Sequence, residues 1–407
     1  MSDQQTRTVD LLITGAAEVL TCAAAAPDLI GCHTSAGVAV DGGRVVAVGD
    51  VSAFAGRRTL DARGGVVMPG FVDAHTHVVF GGSRVEEYVA RVAGLAPPPD
   101  APVGIVGTTD ATRSCTTEQL VVQATERVRE MVQHGTTTLE SKSGYGLDPD
   151  AELRILMASR KLDRDPSVEV VSTYLGAHAF PRDTDPAAYV DAVVAQIPEV
   201  ADRGLAEFCD VYCDDGYFDL AQTRRILEAG LDAGLRPKLH LDAYSHTGAA
   251  DLAIELGAIS VDHLNLTPAA DVARLAEAEV VGVYMPCLDY AVGHPSPVRA
   301  RILVDAGLEL ALATDVCPGC WTTSMQLAIA MACRSGGLGV AEAIRAATYG
   351  AARSLGREDR IGSLEPGKQA DVVILDLPRH EDIAYRLGRN SVTTVVKNGH
   401  VVKEPHP

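Results

Sequence analysis

Two rhythms of apolar and polar positions divide the chain. Up to about residue 65, short apolar runs alternate with Gly and Asp-Gly turns: VDLLITGAAEVL, GVAVDGGRVVAVG and RTLDARGGVVM. From 359 to 407 that style returns in ADVVILDL and SVTTVVKNGHVV, where Asn398-Gly399 is a hairpin signal. Strand-rich ends around one long middle predict a small β-sandwich assembled from both termini, residues 1–65 and 359–407. The middle, 66–358, carries eight apolar, β-branched runs: VVMPGFVDAHTH, GTTTLESKS, VEVVSTYLGAH, FCDVYC, RPKLHLDA, AISVDHL, VVGVYMP and LELALATD. Helical patterns such as TEQLVVQATERVREMVQHG and AQTRRILEAGLDAG lie between them, and each ends in a glycine suited to a C-cap. Doubly buried strands alternating with helices predict an α/β (β/α)8 barrel of the TIM type. An open doubly wound sheet is the alternative, but no G-x-G-x-x-G follows a strand. GLAPPPDAPVG, from Gly94 to Gly104, reads as a long loop after the first strand.

The length of 407 residues suits a barrel with an appendage at about 150 residues per domain. A net charge of −19 disfavours phosphate backbones and anionic membrane surfaces, so neither nucleic acid nor membrane is an expected partner. Aromatic content of 4% is thin for base stacking. Nine cysteines, an odd number in a long chain, fit reduced thiols better than a disulfide framework. The start, MSDQQTRTVD, lacks the apolar core of a secretory signal, and no run approaches about 18 apolar residues. A cytoplasmic enzyme is expected.

Polar residues gather where the barrel strands end, which is where barrel enzymes place their sites. The first run ends in His75-Thr76-His77, and residues two apart on a strand face one side. The fifth ends near His240, the sixth near His263, and the eighth at Asp315. Four imidazoles and a carboxylate converging on one mouth form a metal-site constellation.

PGFVDAHTH, from Pro69 to His77, resembles the opening motif of the amidohydrolase superfamily of metal-dependent hydrolases. The resemblance implies that His75, His77, His240 and Asp315 hold one divalent ion, zinc first, with iron or manganese as alternatives. It places His263 near the activated water or the substrate. The fourth run, FCDVYCDDG, lacks the lysine of dinuclear members, so one ion is expected. Within the superfamily, HTHVVFGGSR, GTTTLESKSGYGLD, TYLGAHAFP and ATDVCPG are similar to the imidazolonepropionase family of histidine breakdown. That similarity implies substrate contacts at Arg84, Tyr145 and His178, and around Cys317, Gly319 and Cys320. It also implies a small carboxylated substrate and a homodimer. Asp315 is expected to move the proton, with His263 or His178 stabilising the oxyanion as a five-membered cyclic amide opens.

The bare residues agree. Arg84 offers a fork for a carboxylate, Tyr145 a hydroxyl on a Gly-flanked loop, and His178 a ring nitrogen. Two positions depart from the family pattern. Three residues after His240, where Glu or Gln is usual, stands Ala243; and Asp315-Val316-Cys317-Pro318-Gly319-Cys320 replaces Asp-x-Asn-Pro-Gly-Ser. These departures keep open a related amidohydrolase or deaminase of another small heterocycle. Cys317 and Cys320 read as pocket-lining thiols, with redox control as the alternative. Cys209 and Cys213 read as small buried hydrophobes.

Overall fold

A computed structural model describes residues 6–404. Eight parallel strands form one sheet in chain order: β1 (Phe71–Asp73), β2 (Thr136–Lys142), β3 (Glu169–Ala177), β4 (Phe208–Cys213), β5 (Arg236–Leu241), β6 (Ser260–His263), β7 (Val281–Tyr284) and β8 (Leu310–Leu312). All eight apolar runs contribute a strand. The seam between β8 and β1 closes just beyond their ends. Asp315 N donates to His75 O at 3.1 Å, and His77 N to Val316 O at 2.9 Å. Thr314 donates twice to the buried Asp73 carboxylate, N to Oδ1 at 3.0 Å and Oγ1 to Oδ2 at 2.6 Å. Metal-motif residues thus also fasten the barrel. Its base is plugged by Val72, Val171, Phe208, Val283, Ala311 and Ile361.

The predicted helices stop as their capping residues dictate. Thr117–Gln133 and Leu220–Asp232 both start with reciprocal capping boxes, Thr116 with Gln119 and Asp219 with Gln222. Both are followed by glycines in the left-handed region, Gly135 and Gly234. The Pro-rich segment is irregular, and the helix Gly104–Ser114 begins at its end.

The termini build two further sheets. One orders Arg44–Gly49, Gly37–Asp41, Arg7–Thr14 and Phe54–Asp61; the other orders His400–Lys403, Val392–Lys397, Val372–Leu375, Val66–Pro69, Glu18–Leu20 and Cys32–Thr34. Their facing sides share Leu11, Ile13, Val38, Val67, Val372 and Val396, so they pack as a sandwich. Asn398 and Gly399, both at positive φ, make the expected two-residue hairpin. The run read as one barrel strand from Val66 is divided at Gly70. Residues before it pair with Val372–Leu375, and those after it enter the barrel. A Cβ at Gly70 would lie 2.3 Å from Thr137 Oγ1, so the crossing fits glycine. Among the described residues no helix is long and apolar enough to cross a membrane.

A single π turn, Ala346–Gly350, packs on β8. A Cβ at Gly350 would stand 1.9 Å from the Leu310 carbonyl oxygen, with backbone on both sides of the clash. Gly350→Ala should therefore lower stability by about 2–3 kcal/mol or more through overpacking. Urea unfolding checks it, and an unchanged midpoint would show that the π turn can move away freely.

Candidate metal centre and substrate cavity

Three imidazoles at the barrel mouth are oriented by what their Nδ1 atoms meet. His75 Nδ1 lies 2.7 Å from Asp262 Oδ2, His240 Nδ1 3.1 Å from Asp210 Oδ1, and His77 Nδ1 3.2 Å from the Ser143 carbonyl. Carboxylates and carbonyls accept, so the proton sits on Nδ1 and the Nε2 lone pair faces inward. Burial, with Lys142 next for His75 and His240 and His178 next for His77, holds all three rings well below the ordinary histidine range and hence neutral. Donor atoms of the three rings lie within 4.8 Å of one another. His75 Nε2, His240 Nε2 and Asp315 Oδ1 are buried without a protein partner, and His75 Nε2 stands 3.7 Å from Asp315 Oδ1. Neutral imidazole lone pairs and a carboxylate oxygen aimed at one space fit a divalent ion.

Below them lies a buried ionic floor that the sequence reading passes over. Lys142 Nζ reaches Asp210 at 2.7 Å, Asp262 at 3.0 Å and Glu140 at 3.2 Å; Lys238 Nζ reaches Glu140 at 2.9 Å. All five side chains are fully buried. Burial opposes the charge on Lys142, but Asp210, Asp262 and Glu140 outweigh it and hold the ammonium charged. The same attraction from Lys142 and Lys238 outweighs burial at Asp262 and keeps that carboxyl below its ordinary value. Strand alternation supplied the clue: Glu140 and Lys142 lie two apart in the second run, as do Lys238 and His240 in the fifth.

A cavity of about 250 Å³ opens above the centre. His77, His240, Asp315, His263, His178, Tyr145, Arg84, Cys317 and Gly319 all line it, so most predicted site residues meet in one space. His75, fully buried beneath it, and Cys320 do not. Cys320 lines an adjoining cavity that shares Arg84 and Gly319 with this one, and its thiol points to the Thr314 carbonyl at 3.7 Å. Cys317 and Cys320 exchange backbone hydrogen bonds of 3.0 and 3.1 Å across the turn between them. Burial, then Asp315, pushes the Cys317 thiol up to about 12, which disfavours thiolate and redox chemistry there. All nine cysteines are free; Cys209 and Cys213 are buried as expected.

His178 Nδ1 lies 3.0 Å from the Gly144 carbonyl, and burial lowers its ring to about 4. It therefore presents a lone pair to the cavity, suited to accept from a ring N–H rather than to donate to an oxyanion. The loop that positions it hangs on Glu152, another residue sequence reasoning missed. That carboxylate accepts from Gly144, Gly146 and Leu147 amides at 2.7–2.8 Å. Tyr145, on the same loop, packs edge-on to His77 and His178 at 5.2 Å each. Burial, then Cys317, raises its phenol well above the ordinary value, so the hydroxyl stays a donor.

Arg84 is half-buried, and its fork grips Glu87 at 2.6 and 2.9 Å. Arg91 and the Gly104 amide also hold Glu87. The guanidinium lies against Gly319, where a Cβ would come within 3.4 Å. Ala243 is buried on the cavity wall, and its carbonyl lies 2.8 Å from His294 Nε2. Asp242 faces elsewhere, accepting from Thr247 N and Thr267 Oγ1, so it does not stand in for a longer residue at 243.

Two models described as Amidohydrolase family match residues 219–402 and 58–96. The imidazolonepropionase of Geobacillus kaustophilus is 43% identical over 387 residues, 92% of this chain and 91% of that protein. The chain belongs to the imidazolonepropionase family. The imidazolonepropionase of Halobacterium salinarum is 40% identical, covering 97% of this chain and 98% of its own. Among solved structures, a zinc-bound adenosine deaminase of Xanthomonas campestris superposes with a TM-score of 0.69 at 22% identity, covering 98% of this chain and 94% of its own. A mutant atrazine chlorohydrolase of Arthrobacter aurescens, complexed with zinc and atraton, reaches 0.75 at 20%, covering 97% and 95%. These two likenesses show the fold. Membership in the imidazolonepropionase family and the orphaned donors agree on a divalent metal.

Asp262→Asn should weaken metal binding about 10- to 100-fold, as loss of an orienting carboxylate does. Chelator competition measures it; an unchanged affinity would remove Asp262 from the support of His75.

Proposed function

We propose that the chain hydrolyses 4-imidazolone-5-propanoate to N-formimino-L-glutamate in the cytoplasm. The observation that carries this reading is identity of about 40% to imidazolonepropionases over nearly the whole chain, joined to a cavity that holds the matching polar residues. His75, His77, His240 and Asp315 would hold the divalent ion, zinc first given neutral imidazoles and one carboxylate. When bound, such an ion supplies Lewis-acid activation of water and carbonyl.

The chain's own groups do the rest. Without an ion, burial and then Asp73 raise the Asp315 carboxyl to about 7; beside a bound dication the carboxylate, the form that accepts a proton, is favoured. Asp315 accepts the proton of the attacking water as its oxygen adds to the ring carbonyl carbon. His263, with no protein hydrogen bond fixing its ring, turns an N–H toward the oxyanion. Collapse breaks the ring carbon–nitrogen bond, and Asp315 returns its proton to the departing nitrogen. The ring carbonyl ends as the new carboxylate. His178 accepts from the substrate ring N–H, the Tyr145 hydroxyl donates to it, and Arg84 receives the propanoate. Gly319 and the Cys317 thiol form the adjoining wall.

Ala243 and Cys317 on the cavity wall favour a second reading, a related amidohydrolase or deaminase of another small heterocycle. Incubation of metal-loaded protein with enzymatically generated imidazolone propanoate, following its ultraviolet band, separates the two. Turnover is expected, and Asp315→Ala should reduce it by about 10²- to 10⁴-fold. No turnover, with hydrolysis of a hydantoin-like ring or deamination of an amino-heterocycle, would establish the second reading instead.

Arg84→Ala should raise KM by about 10- to 100-fold, the worth of a charged hydrogen bond of about 1.5–3 kcal/mol. Steady-state kinetics test this. An unchanged KM would mean that Glu87 fully occupies the guanidinium and another group receives the carboxylate.

A further inference from the structure

The small sandwich brings together a thiol, an imidazole and a carboxylate far from the barrel mouth. Glu18 and Cys32 lie diagonally across the antiparallel pair Glu18–Leu20 and Cys32–Thr34, whose register sets Glu18 opposite Thr34 and Leu20 opposite Cys32. Paired positions share a face, so Glu18 and Cys32 point to the same side. His380, from the other end of the chain, lies on them. Its backbone N donates to Glu18 Oε2 at 2.7 Å, and its Nδ1 stands 2.9 Å from the same oxygen. Donor atoms of Glu18, Cys32 and His380 all lie within 4.8 Å of one another. Glu381 Oε2, which Arg379 also grips, is 3.6 Å from His380 Nδ1. The site is half-buried, so an ion can reach it.

We propose that Glu18, Cys32 and His380 form a second metal site, selective for a thiophilic divalent ion of the zinc class. The donor set is the mixed sulfur, nitrogen and oxygen set that such ions take, and one tetrahedral ion at about 2.0–2.3 Å from each donor fits within the spacing. The field is favourable: carboxylates of Glu18, Asp28 and Glu381 surround the thiol and, after burial, push its pKa up. A dication would reverse that effect and hold the thiolate. The charges close. Cys32 releases its proton to solvent, His380 moves its proton from Nδ1 to Nε2, and thiolate plus carboxylate neutralise the ion. Glu381 or water completes the fourth position. The ion would tie the edge strand Cys32–Thr34 and its neighbour Glu18–Leu20 to the C-terminal segment, so it is structural rather than catalytic.

Cadmium titration of the full chain carrying one equivalent of zinc tests this, because none of the catalytic ligands is a thiolate and the second site is then left open. The wild type should take up a second equivalent with a thiolate-to-metal charge-transfer band. Cys32→Ser should abolish that band. His380→Gln should weaken the second uptake by at least about 100-fold, since loss of an outer-shell partner alone costs about 10- to 100-fold. Both variants should retain near-ultraviolet circular dichroism and imidazolone turnover, which excludes misfolding as the cause. Absence of the band in the wild type would overturn the proposal. So would a band that persists in Cys32→Ser, or a His380→Gln affinity equal to that of the wild type.

Discussion

The ammonium of Lys142 lies between Asp210 and Asp262, the two carboxylates that orient His240 and His75. It therefore joins strands β2, β4, β5 and β6 to β1 through ionic contacts that contain no water-exposed atom. Desolvating several charges in one layer costs several kcal/mol per ion, and only mutual attraction offsets it. Such a cluster has few alternative arrangements, because moving one member leaves another buried charge unpaired. The imidazoles above inherit that rigidity. The tautomers of His75 and His240 and the direction of their lone pairs follow from carboxylates that the lysine fixes, whereas His77 is turned by the Ser143 carbonyl.

The backbone shows where this order is achieved against local preference. Asp242, His263, Leu264 and Asp315 all have positive φ although none is glycine, and all follow or end barrel strands at the mouth. Each such conformation costs on the order of 1–3 kcal/mol. Hydrogen bonds compensate: Asp242 fastens two loops, and Asp315 N closes the barrel seam onto His75. Two of these four residues, His263 and Asp315, are also ones proposed to act in the reaction.

Much of this was legible beforehand. Apolar runs with helical intervals revealed the eight strands, and the polar residues at their ends converge as strand geometry requires. The ionic floor was not legible in the same way. Alternation puts Glu140 with Lys142 and Lys238 with His240 on one side of their strands, but the partners Asp210 and Asp262 come from other strands and are known only once the barrel closes. Glu152 was hidden for another reason: its three amide partners belong to a loop whose path is set by tertiary contacts. The separation of Cys317 from Cys320 likewise depends on a turn that points neighbouring thiols into different cavities.

The sandwich has a consequence for biosynthesis. Val66–Pro69 takes its hydrogen bonds on one side from Val372–Leu375, across the whole barrel in sequence. A chain emerging from the ribosome holds its first strands ready long before that partner exists. The parallel neighbour Glu18–Leu20 can pair early, but the other edge of Val66–Pro69 stays open. Long-range pairing of this kind is slow, and an unpaired edge invites contact with other nascent chains. A segment made after the barrel therefore completes a domain begun before it, and release of the chain ahead of that segment would leave the edge bare.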